Sequence, residues 1–473
     1  MKVFLLNPPM LNGDSFMKEV GRCGRKTVAG ELWPQTGLAY LAAVALENHC
    51  DVRLIDAMAS RQTVQHLVHF VRNFGPHLVI ANTTTPTFKN DAQVLTTLKM
   101  EHPAVFAFTG THVSALPEES LKQSHADLIF INEAEGILYE VLQKWGKWEE
   151  IRGLAFRRNG EITRTSPFPY IENLDRLPFP ARHLLPNDKY RMPFFENEPY
   201  ATVIPTRGCP WRCTFCRAGK VWGRRIRTRS PENVISEIEH IQNDLDISNI
   251  VFMTDSLTLD KEWANFFFDA LLHWHLKFRW ICNSRVDAVN PEMLAKMKEA
   301  GCILISYGVE SGSQKILDAT RKKITLDDSR NAVKWTREAG ILTMAYFIVG
   351  LPGETRETIE HTIQFARELD PDYVNFHVAT PFPGTELYDL AKEQNWLVTH
   401  DWSQYEEEGS AVMRTEALSA EELVAHQRLA MRRFYLRPKI ILREILRVRN
   451  LGQLRSKCRA AGAILSTLSR KKH

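Results

Sequence analysis

The 473-residue sequence lacks the features that mark membrane-spanning and secreted proteins. No segment offers the roughly 20 consecutive apolar residues that a membrane-spanning helix needs. Residues 1 to 20 lack a charged start followed by a long apolar run, and the eight cysteines are too unevenly spaced to resemble a disulfide framework. These absences predict a soluble multidomain protein of the reducing cytoplasm, with room for about three domains at roughly 150 residues each.

Acidic residues are almost absent from the C-terminal segment. Between Arg432 and His473 there are 13 Lys or Arg residues and one acidic residue, Glu444, so the rest of this chain of net charge +4 is acidic. Within the segment, apolar and basic residues alternate at helical spacing, which is typical of an amphipathic helix at a membrane surface. A solvated helix covering the main body and a nucleic-acid-binding tail are the alternatives.

Strand-like and helix-like segments alternate through residues 1 to 148, which predicts a doubly wound, Rossmann-like parallel sheet with helices on both faces. Ligands of such folds bind at the carboxyl ends of the strands. In this sequence those ends carry small and polar residues, as in TTTPT, GTHVS and NEAEG. The segment therefore predicts a ligand-binding domain, although such residues also occur in ordinary turns.

A second α/β alternation follows a proline-rich stretch. Residues 149 to 200 contain SPFPYIENLDRLPFPARHLLP and predict a linker packed on both neighbours. Residues 201 to 400 contain six strand-helix units, too few for a closed eight-stranded barrel, so a partial (β/α)6 barrel is expected with its site at the C-terminal strand ends. Residues 401 to 473 are expected to form a helical extension that ends in the basic amphipathic tail.

Three cysteines, Cys209, Cys213 and Cys216, lie just after the first strand of the predicted barrel, in RGCPWRCTFCRAG. Closely spaced thiols in a reducing compartment usually bind zinc or an iron-sulfur cluster. Structural zinc needs four ligands, and no second Cys or His pair at suitable spacing lies nearby. A cubane cluster on three thiolates leaves one iron open, which is what a catalytic metal site requires. The spacing favours a catalytic cluster over zinc or a chance grouping.

CPWRCTFC resembles the CxxxCxΦC signature of the radical SAM superfamily, with Phe215 as its aromatic residue. The resemblance implies a [4Fe-4S] cluster on the three cysteines, with S-adenosylmethionine chelating the free iron through its amino and carboxylate groups. One-electron cleavage of the sulfonium would then give a deoxyadenosyl radical that abstracts hydrogen from an unactivated carbon. An electron donor such as flavodoxin or ferredoxin is expected as a partner.

Later strand ends agree with this resemblance. YGVESGS is similar to a family motif that contacts the ribose and methionine of the cofactor, which implies this role for Glu310 and Ser311. Arg285 ends the third strand, where a cation could meet the cofactor carboxylate. FIVGLPGET resembles the segment that lines the adenine site, here through Gly350. The alternatives are a helix-capping acid for Glu310 and a surface ion pair for Arg285.

The first domain resembles the cobalamin-binding domain of the cobalamin-dependent radical SAM subgroup, notably in GELWPQTGLAYLAAVALE, LIDAMAS and TGTHVSALPEESL. The DxHxxG sequence that supplies a cobalt-ligating histidine is absent, as is usual in this subgroup. His112 is therefore expected to take a loop role near the corrin. Cys23 could reach the shared cleft or be an inert thiol. The strand-end candidates for holding corrin amides or the nucleotide tail are Thr83, Thr84, Thr85, Gly110 and Glu133.

The subgroup implies that the two cofactors face each other with substrate between them, and that methylcobalamin methylates an unactivated carbon. The alternative is an oxidative cyclase of the anaerobic magnesium-protoporphyrin monomethyl ester type, and a minor one is a noncatalytic corrinoid-binding protein. The basic tail favours a lipophilic substrate and peripheral membrane contact, although a soluble substrate stays open. Transfer-RNA thiomethylation is disfavoured because only Cys23 and Cys50 lie in the first domain, so no nucleic acid is expected as a partner.

Overall fold

The computed structural model describes residues 1–18, 24–26 and 31–447. It has two large sheets, one of seven strands that are mostly parallel and one of six parallel strands, each with helices packed against it. Cys23 and residues 448–473, which include most of the predicted amphipathic tail, lie outside the described residues. The α/β fold class and the helical C-terminal region predicted from the sequence are confirmed.

The first sheet has the strand order β4-β1-β5-β6-β7-β8-β9, and its first five strands are parallel. In chain order these five run 2-1-3-4-5, a doubly wound arrangement whose ligands lie beyond the carboxyl ends of the strands. The elements of this region are β1 Lys2–Asn7, β2 Phe16–Met17, β3 Arg25–Lys26, β4 Asp51–Asp56, β5 Leu78–Asn82, β6 Val105–Thr109, β7 Leu128–Phe130, β8 Leu154–Arg158, β9 Glu161–Arg164, and α1 Thr36–Glu47, α2 Val64–Phe74, α3 Phe88–Glu101, α4 Thr111–Ala115, α5 Pro117–Gln123 and α6 Ala134–Gln143.

The first sheet continues past the predicted boundary at residue 148. The hairpin of β8 and β9 adds to it, because β8 pairs antiparallel with β7. Leu154, Ala155 and Phe156 are fully buried there and extend the core of the first sheet. Two strands of the sheet therefore come from the stretch expected to be a linker.

The second sheet is an open set of six parallel strands in the order β10-β13-β14-β15-β16-β17, as expected for a partial barrel. Their inner and outer faces alternate, so every second side chain of β16 and β17 is half-buried. The elements are β10 Ala201–Val203, β11 Thr206–Arg207, β12 Arg227–Thr228, β13 Asn249–Phe252, β14 Arg279–Ser284, β15 Cys302–Glu310, β16 Leu342–Val349, β17 Tyr373–Val378, and α7 Ala218–Val221, α8 Pro231–Leu245, α9 Lys261–His273, α10 Pro291–Glu299, α11 Gln314–Ala319, α12 Leu326–Glu338, α13 Arg356–Leu369, α14 Glu386–Glu393, α15 Ala420–Tyr435 and α16 Pro438–Leu446.

Residues 165–200 pack on both sheets. The Tyr190 hydroxyl donates to Asp56 at 2.9 Å, at the end of β4. Arg182 donates to the carbonyl oxygen of Thr202 at 2.6 Å and forms a buried ion pair with Glu237 of α8. These bonds tie the connecting segment to a strand end of the first sheet and to the first unit of the barrel.

The last two described helices lie at the β17 edge of the barrel. In α15, the Gln427 amide donates to the carbonyl oxygen of Phe376 at 2.7 Å and the Tyr435 hydroxyl donates to that of Val374 at 2.8 Å, both in β17. Helix α16 is held by ion pairs to Asp370 and Asp372. None of the helices within the described ranges combines the length and the apolar character needed to cross a bilayer.

Candidate active site between two domains

A large cleft lies at the carboxyl ends of the barrel strands, with a volume of about 1640 Å³ including its open mouth. The first domain closes one side of it through Met17, Gly24 and Trp33. Most of the residues predicted to bind the cluster and S-adenosylmethionine line this one space: Cys209, Cys213, Phe215, Cys216, Arg285 and Glu310.

The three cysteines lie in a loop between two paired strands, β11 and β12. Strand β11 pairs antiparallel with β12, so the chain leaves and returns at the same point. Gly208 has a φ of +100°, and a Cβ atom there would lie 2.1 Å from the carbonyl oxygen of Arg225. Glycine is therefore required where the loop begins, one residue before Cys209.

Burial raises the pKa of all three thiols, and Asp255 adds to the effect at Cys209 and Cys216. Burial, with the charge of Asp255 adding to it, raises the pKa of Cys216 to about 12, and its side chain lines the cleft. The metal-free thiols are therefore protonated at neutral pH, and metal binding must release their protons.

The three thiols do not form a single-ion site. Among residues 1–18, 24–26 and 31–447, no three His, Cys, Asp or Glu side chains are grouped so that they could hold a metal ion. Structural zinc requires its ligands to converge tetrahedrally on one point. Thiolates that ligate different irons of a cluster have no such requirement, and three cysteines that line one cleft fit that donor set.

The wall beside the cysteines carries charged side chains. Arg285 is 6% exposed, donates to Asp287 at 2.9 Å and stacks 4.2 Å from the centre of the Trp211 ring. Glu310 accepts a hydrogen bond from Lys322 at 2.6 Å. Burial alone would lower the pKa of Lys322, but Glu310 outweighs it and raises that pKa. Arg285 is thus part of the cleft wall rather than a surface ion pair.

Ser311 and Gly350 do not line the cleft in this structure. The Ser311 hydroxyl lies 3.2 Å from that of Thr362, and the Gly350 amide donates to Glu354 at 2.6 Å. Burial raises the pKa of Glu354 to about 8. Both predicted residues shape the strand-end loops, and their contact with S-adenosylmethionine stays a prediction.

Several cleft residues were not found from the sequence. Lys322 lies in a loop and carries no motif. Tyr346 and His377 project from β16 and β17, and the His377 ring lies 5.5 Å from the Tyr346 ring and 3.7 Å, at Nδ1, from Glu407. Period-two alternation on the last two strands was the signal that could have identified Tyr346 and His377 as inward-facing.

A second cavity of about 630 Å³ lies at the carboxyl edge of the first sheet. Four of the six residues predicted to contact cobalamin, at the corrin or the nucleotide tail, line it: Thr83, Thr84, Gly110 and Glu133. The Thr83 hydroxyl donates to Asp91 at 2.7 Å, and Asp91 pairs with the buried Lys18 at 2.9 Å. At Gly110, with a φ of +129°, a Cβ atom would lie 2.0 Å from the carbonyl oxygen of Thr83, so a side chain would clash with the floor of the cavity.

Thr85 and His112 are outside the lining of this cavity. His112 is buried between Phe88 and Trp402, with ring distances of 4.5 and 5.2 Å, and its Nδ1 lies 3.4 Å from the Thr85 hydroxyl. Burial and the charge of Arg217 lower the pKa of His112 to about 3, so the imidazole is neutral. These contacts are those of a packed core histidine, and its loop role near a corrin stays a prediction.

Glu133 joins the two domains. Its carboxylate accepts from Arg227 at 2.7 and 3.0 Å and from Arg207 at 3.4 Å, and Arg207 also donates to Glu135 at 2.6 Å. All four side chains are at most 5% exposed. Charge-assisted bonds of this kind are strong in a low-dielectric interior. The carboxylate of Glu133 is therefore bonded to two arginines of the barrel, and its predicted contact with cobalamin stays a prediction.

The cysteine loop contacts the first domain on both sides of the motif. Arg207 precedes Cys209 by two residues and binds Glu133 and Glu135, while Arg217 follows Cys216 directly and donates to the carbonyl oxygen of Thr111. Both anchoring points lie at the rim of the second cavity. The loop is therefore fixed relative to that cavity from both ends.

Comparison with known proteins gives two domain matches. Residues 203–366 match the Radical SAM superfamily, and residues 23–142 match the B12 binding domain. An uncharacterized methyltransferase of Pyrococcus horikoshii is 34% identical over 450 residues, which cover 94% of this chain and 95% of that protein. The chain belongs to the cobalamin-dependent radical SAM family. The prediction of an enzyme of this family is confirmed, and its cofactor set is a [4Fe-4S] cluster, S-adenosylmethionine and cobalamin.

Two further family members are similar over most of the chain. The anaerobic magnesium-protoporphyrin IX monomethyl ester cyclase of Cereibacter sphaeroides is 29% identical, covering 88% of this chain and 69% of that protein. The solved structure of the radical S-adenosylmethionine methyltransferase TsrM from Kitasatospora setae, with cobalamin and a [4Fe-4S] cluster bound, superimposes with a TM-score of 0.73 at 16% identity and covers 99% of both chains. At this identity the superposition confirms the fold.

We predict that Arg207→Met lowers the free energy of unfolding by about 3 kcal/mol or more, because it leaves Glu133 and Glu135 buried with fewer partners. Urea unfolding followed by circular dichroism measures the change. The matched control is Arg225→Met, since Arg225 pairs with Glu172 where both side chains are largely exposed, and such pairs contribute about 0–1 kcal/mol. Equal stability of the two variants would contradict the assignment of the interface.

Proposed function

We propose that this protein methylates an unactivated carbon of a small molecule bound between its two domains. The observation that carries the proposal is that the cysteine cleft and the second cavity share walls. Helix α7 lines the cleft through Ala218 and the second cavity through Val221. Gly24 lines the cleft and lies so close to Thr84 of the second cavity that a Cβ atom would be 2.4 Å from the Thr84 hydroxyl.

The cysteine cleft and the second cavity would each hold one part of the reaction. When bound, the cluster with S-adenosylmethionine supplies one-electron hydrogen abstraction and cobalamin supplies the methyl group. In this proposal Cys209, Cys213 and Cys216 hold the cluster, and the second cavity holds the corrin. The electron that cleavage of S-adenosylmethionine needs comes from a donor such as flavodoxin or ferredoxin.

The charged wall of the cleft suits a zwitterionic cofactor. Arg285 is held in place by Asp287 and presents its guanidinium beside the cysteines, where it can bind the carboxylate of S-adenosylmethionine. Glu310 can accept from the amino group or ribose hydroxyls of the cofactor, and Lys322 balances its charge. Phe215 lines the same wall and offers a ring for apolar contact.

In this proposal the other wall of the cleft binds the substrate. Tyr346 and His377 face the cleft from the last two strands, and Trp33 and Met17 face it from the first domain. This wall offers rings and a thioether for an apolar body and a few polar groups for its orientation. Covering the cleft with both domains also excludes water from reactive intermediates.

The exposed apolar face of helix α16 favours a lipophilic substrate that the protein collects at a membrane surface. Arg443 of this helix and Arg437 and Arg447 at its two ends pair with Asp370 and Asp372 on the barrel, which turns the opposite face outward. That face exposes Leu442 by 57% and Leu446 by 74%. An apolar face in a segment with 13 basic residues and one acidic residue suits an anionic lipid surface.

Cys213→Ala is predicted to abolish formation of 5′-deoxyadenosine in anaerobically reconstituted protein while leaving hydroxocobalamin bound. The expectation follows because the thiol lies in the cleft and the corrin cavity is built by other residues. Chromatography of the products and the cobalamin absorbance measure the two effects. Cys50→Ala, which removes a buried thiol from the first domain, is the matched control and should keep both. Cofactor cleavage by the Cys213 variant would rule out the cluster assignment.

Methyl-labelled S-adenosylmethionine separates methylation from cyclisation. Reconstituted protein with cobalamin is incubated with cell extract, and mass spectrometry follows the products. Methylation predicts a labelled product heavier than its precursor. An unlabelled product that has lost hydrogen would favour the cyclase reaction of the Cereibacter sphaeroides relative instead.

Membrane contact predicts that the double variant Leu442→Glu and Ile445→Glu sediments with phosphatidylglycerol vesicles at least about tenfold less than wild type, because apolar contact and charge attraction are both reduced. Met100→Glu is the control, since Met100 is 79% exposed on α3 of the first domain. Vesicles of phosphatidylcholine test the role of charge. Equal sedimentation of both variants with anionic vesicles would contradict the proposal.

A further inference from the structure

A groove of about 580 Å³ lies on the outer side of the cysteine loop. It is lined by Pro210, Trp211 and Arg212 of that loop and by Arg321 and Lys323 of the segment after α11. Because residues 210 to 212 separate Cys209 from Cys213, the floor of the groove is the outer surface of the cysteine loop itself.

Trp211 separates this groove from the cleft. Its side chain lines both spaces, and its inner face is covered by Arg285. The backbone at this position is also fixed, because Arg224 donates to the carbonyl oxygen of Trp211 at 2.6 Å. One aromatic side chain therefore stands between the outer surface and the space that the three thiols line.

The cations of the groove are not used by the fold. Arg212 and Lys323 are exposed, and their side chains make no hydrogen bond or ion pair with any residue in the described ranges. Arg321 pairs with Glu386, with both side chains partly exposed. Among the described residues, no acidic side chain lines the groove. The groove is therefore net positive and open to an anionic partner.

We propose that this groove is the docking surface for the electron donor, an acidic redox protein with a reduced flavin or iron-sulfur centre. The inference rests on the proposed function, in which each cleavage of S-adenosylmethionine needs an electron from outside while the cleft holds cofactor and substrate. One electron leaves the donor centre and enters the site of the three cysteines, and no bond forms or breaks in this step. Opposite charge on the two partners steers the encounter and orients the donor centre toward Trp211.

The test compares two reductants on the full, reconstituted chain. Reduced flavodoxin must dock, whereas dithionite is small and needs no docking surface. The double variant Arg212→Glu and Lys323→Glu is expected to form 5′-deoxyadenosine about tenfold more slowly or worse with flavodoxin, the scale of electrostatic steering. With dithionite its rate should stay within about twofold of wild type, because neither side chain makes a contact that the fold uses.

A control variant carries the same change in net charge elsewhere. Lys261→Glu and Lys334→Glu replace exposed lysines on α9 and α12, and this variant should behave like wild type with both reductants. The wild-type rate with flavodoxin should also fall as ionic strength rises from about 0.05 to 0.5 M, since salt screens exposed charges.

The other outcomes each overturn the inference. Equal flavodoxin rates in the groove variant and wild type, or an equal loss with both reductants, would refute the docking surface alone. RNA binding that the groove variant loses, with its flavodoxin rate unchanged, would assign the groove to nucleic acid. Wild-type protein that forms no deoxyadenosine even with dithionite would refute the proposed function and this inference with it.

Discussion

Four buried charges hold the two domains together, and the rest of the site depends on their pairing. Arg207 and Arg227 on the first hairpin of the barrel meet Glu133 and Glu135 at the carboxyl edge of the first sheet. Arg207 also stacks 4.5 Å from the Trp222 ring. A buried charge without a partner is costly, so any sliding of one domain on the other would be penalised. These ion pairs therefore fix the alignment of the two domains, in addition to adding contact area between them.

Fixed register matters because each domain supplies only part of the enclosure. The six-stranded barrel is open, so its cleft needs Met17, Gly24 and Trp33 of the first domain as a further wall. The edge of the doubly wound sheet likewise needs Val221 and Trp222 of the barrel to close the second cavity. Each space is therefore completed by residues of the other domain. Chemistry that passes between two cofactors requires such a shared wall.

Features that depend on neighbours in sequence could be predicted. The spacing of Cys209, Cys213 and Cys216 and the alternation of strands and helices are local, and the motif, the strands and the fold class followed from them. Features that depend on long-range contacts could not. The partners of Glu133 are 74 and 94 residues away. Thr85 is outside the lining of the second cavity for a local reason, since a short 3-10 turn from Thr85 to Thr87 begins there and its hydroxyl lies beside the His112 ring; its contact with cobalamin stays a prediction.

The net charge of +4 does not show that the basic residues have three different roles. The three groups differ in how far their side chains are paired with acidic residues of the fold. Arg207 and Arg227 are buried and fully paired, so they serve stability and register. The cations of α16 are paired on one side only and turn an apolar face outward. Arg212 and Lys323 have no side-chain partner among the described residues, so their charge acts only on what approaches from outside. Pairing within the fold, rather than the number of basic residues, therefore distinguishes a structural cation from one available to a partner.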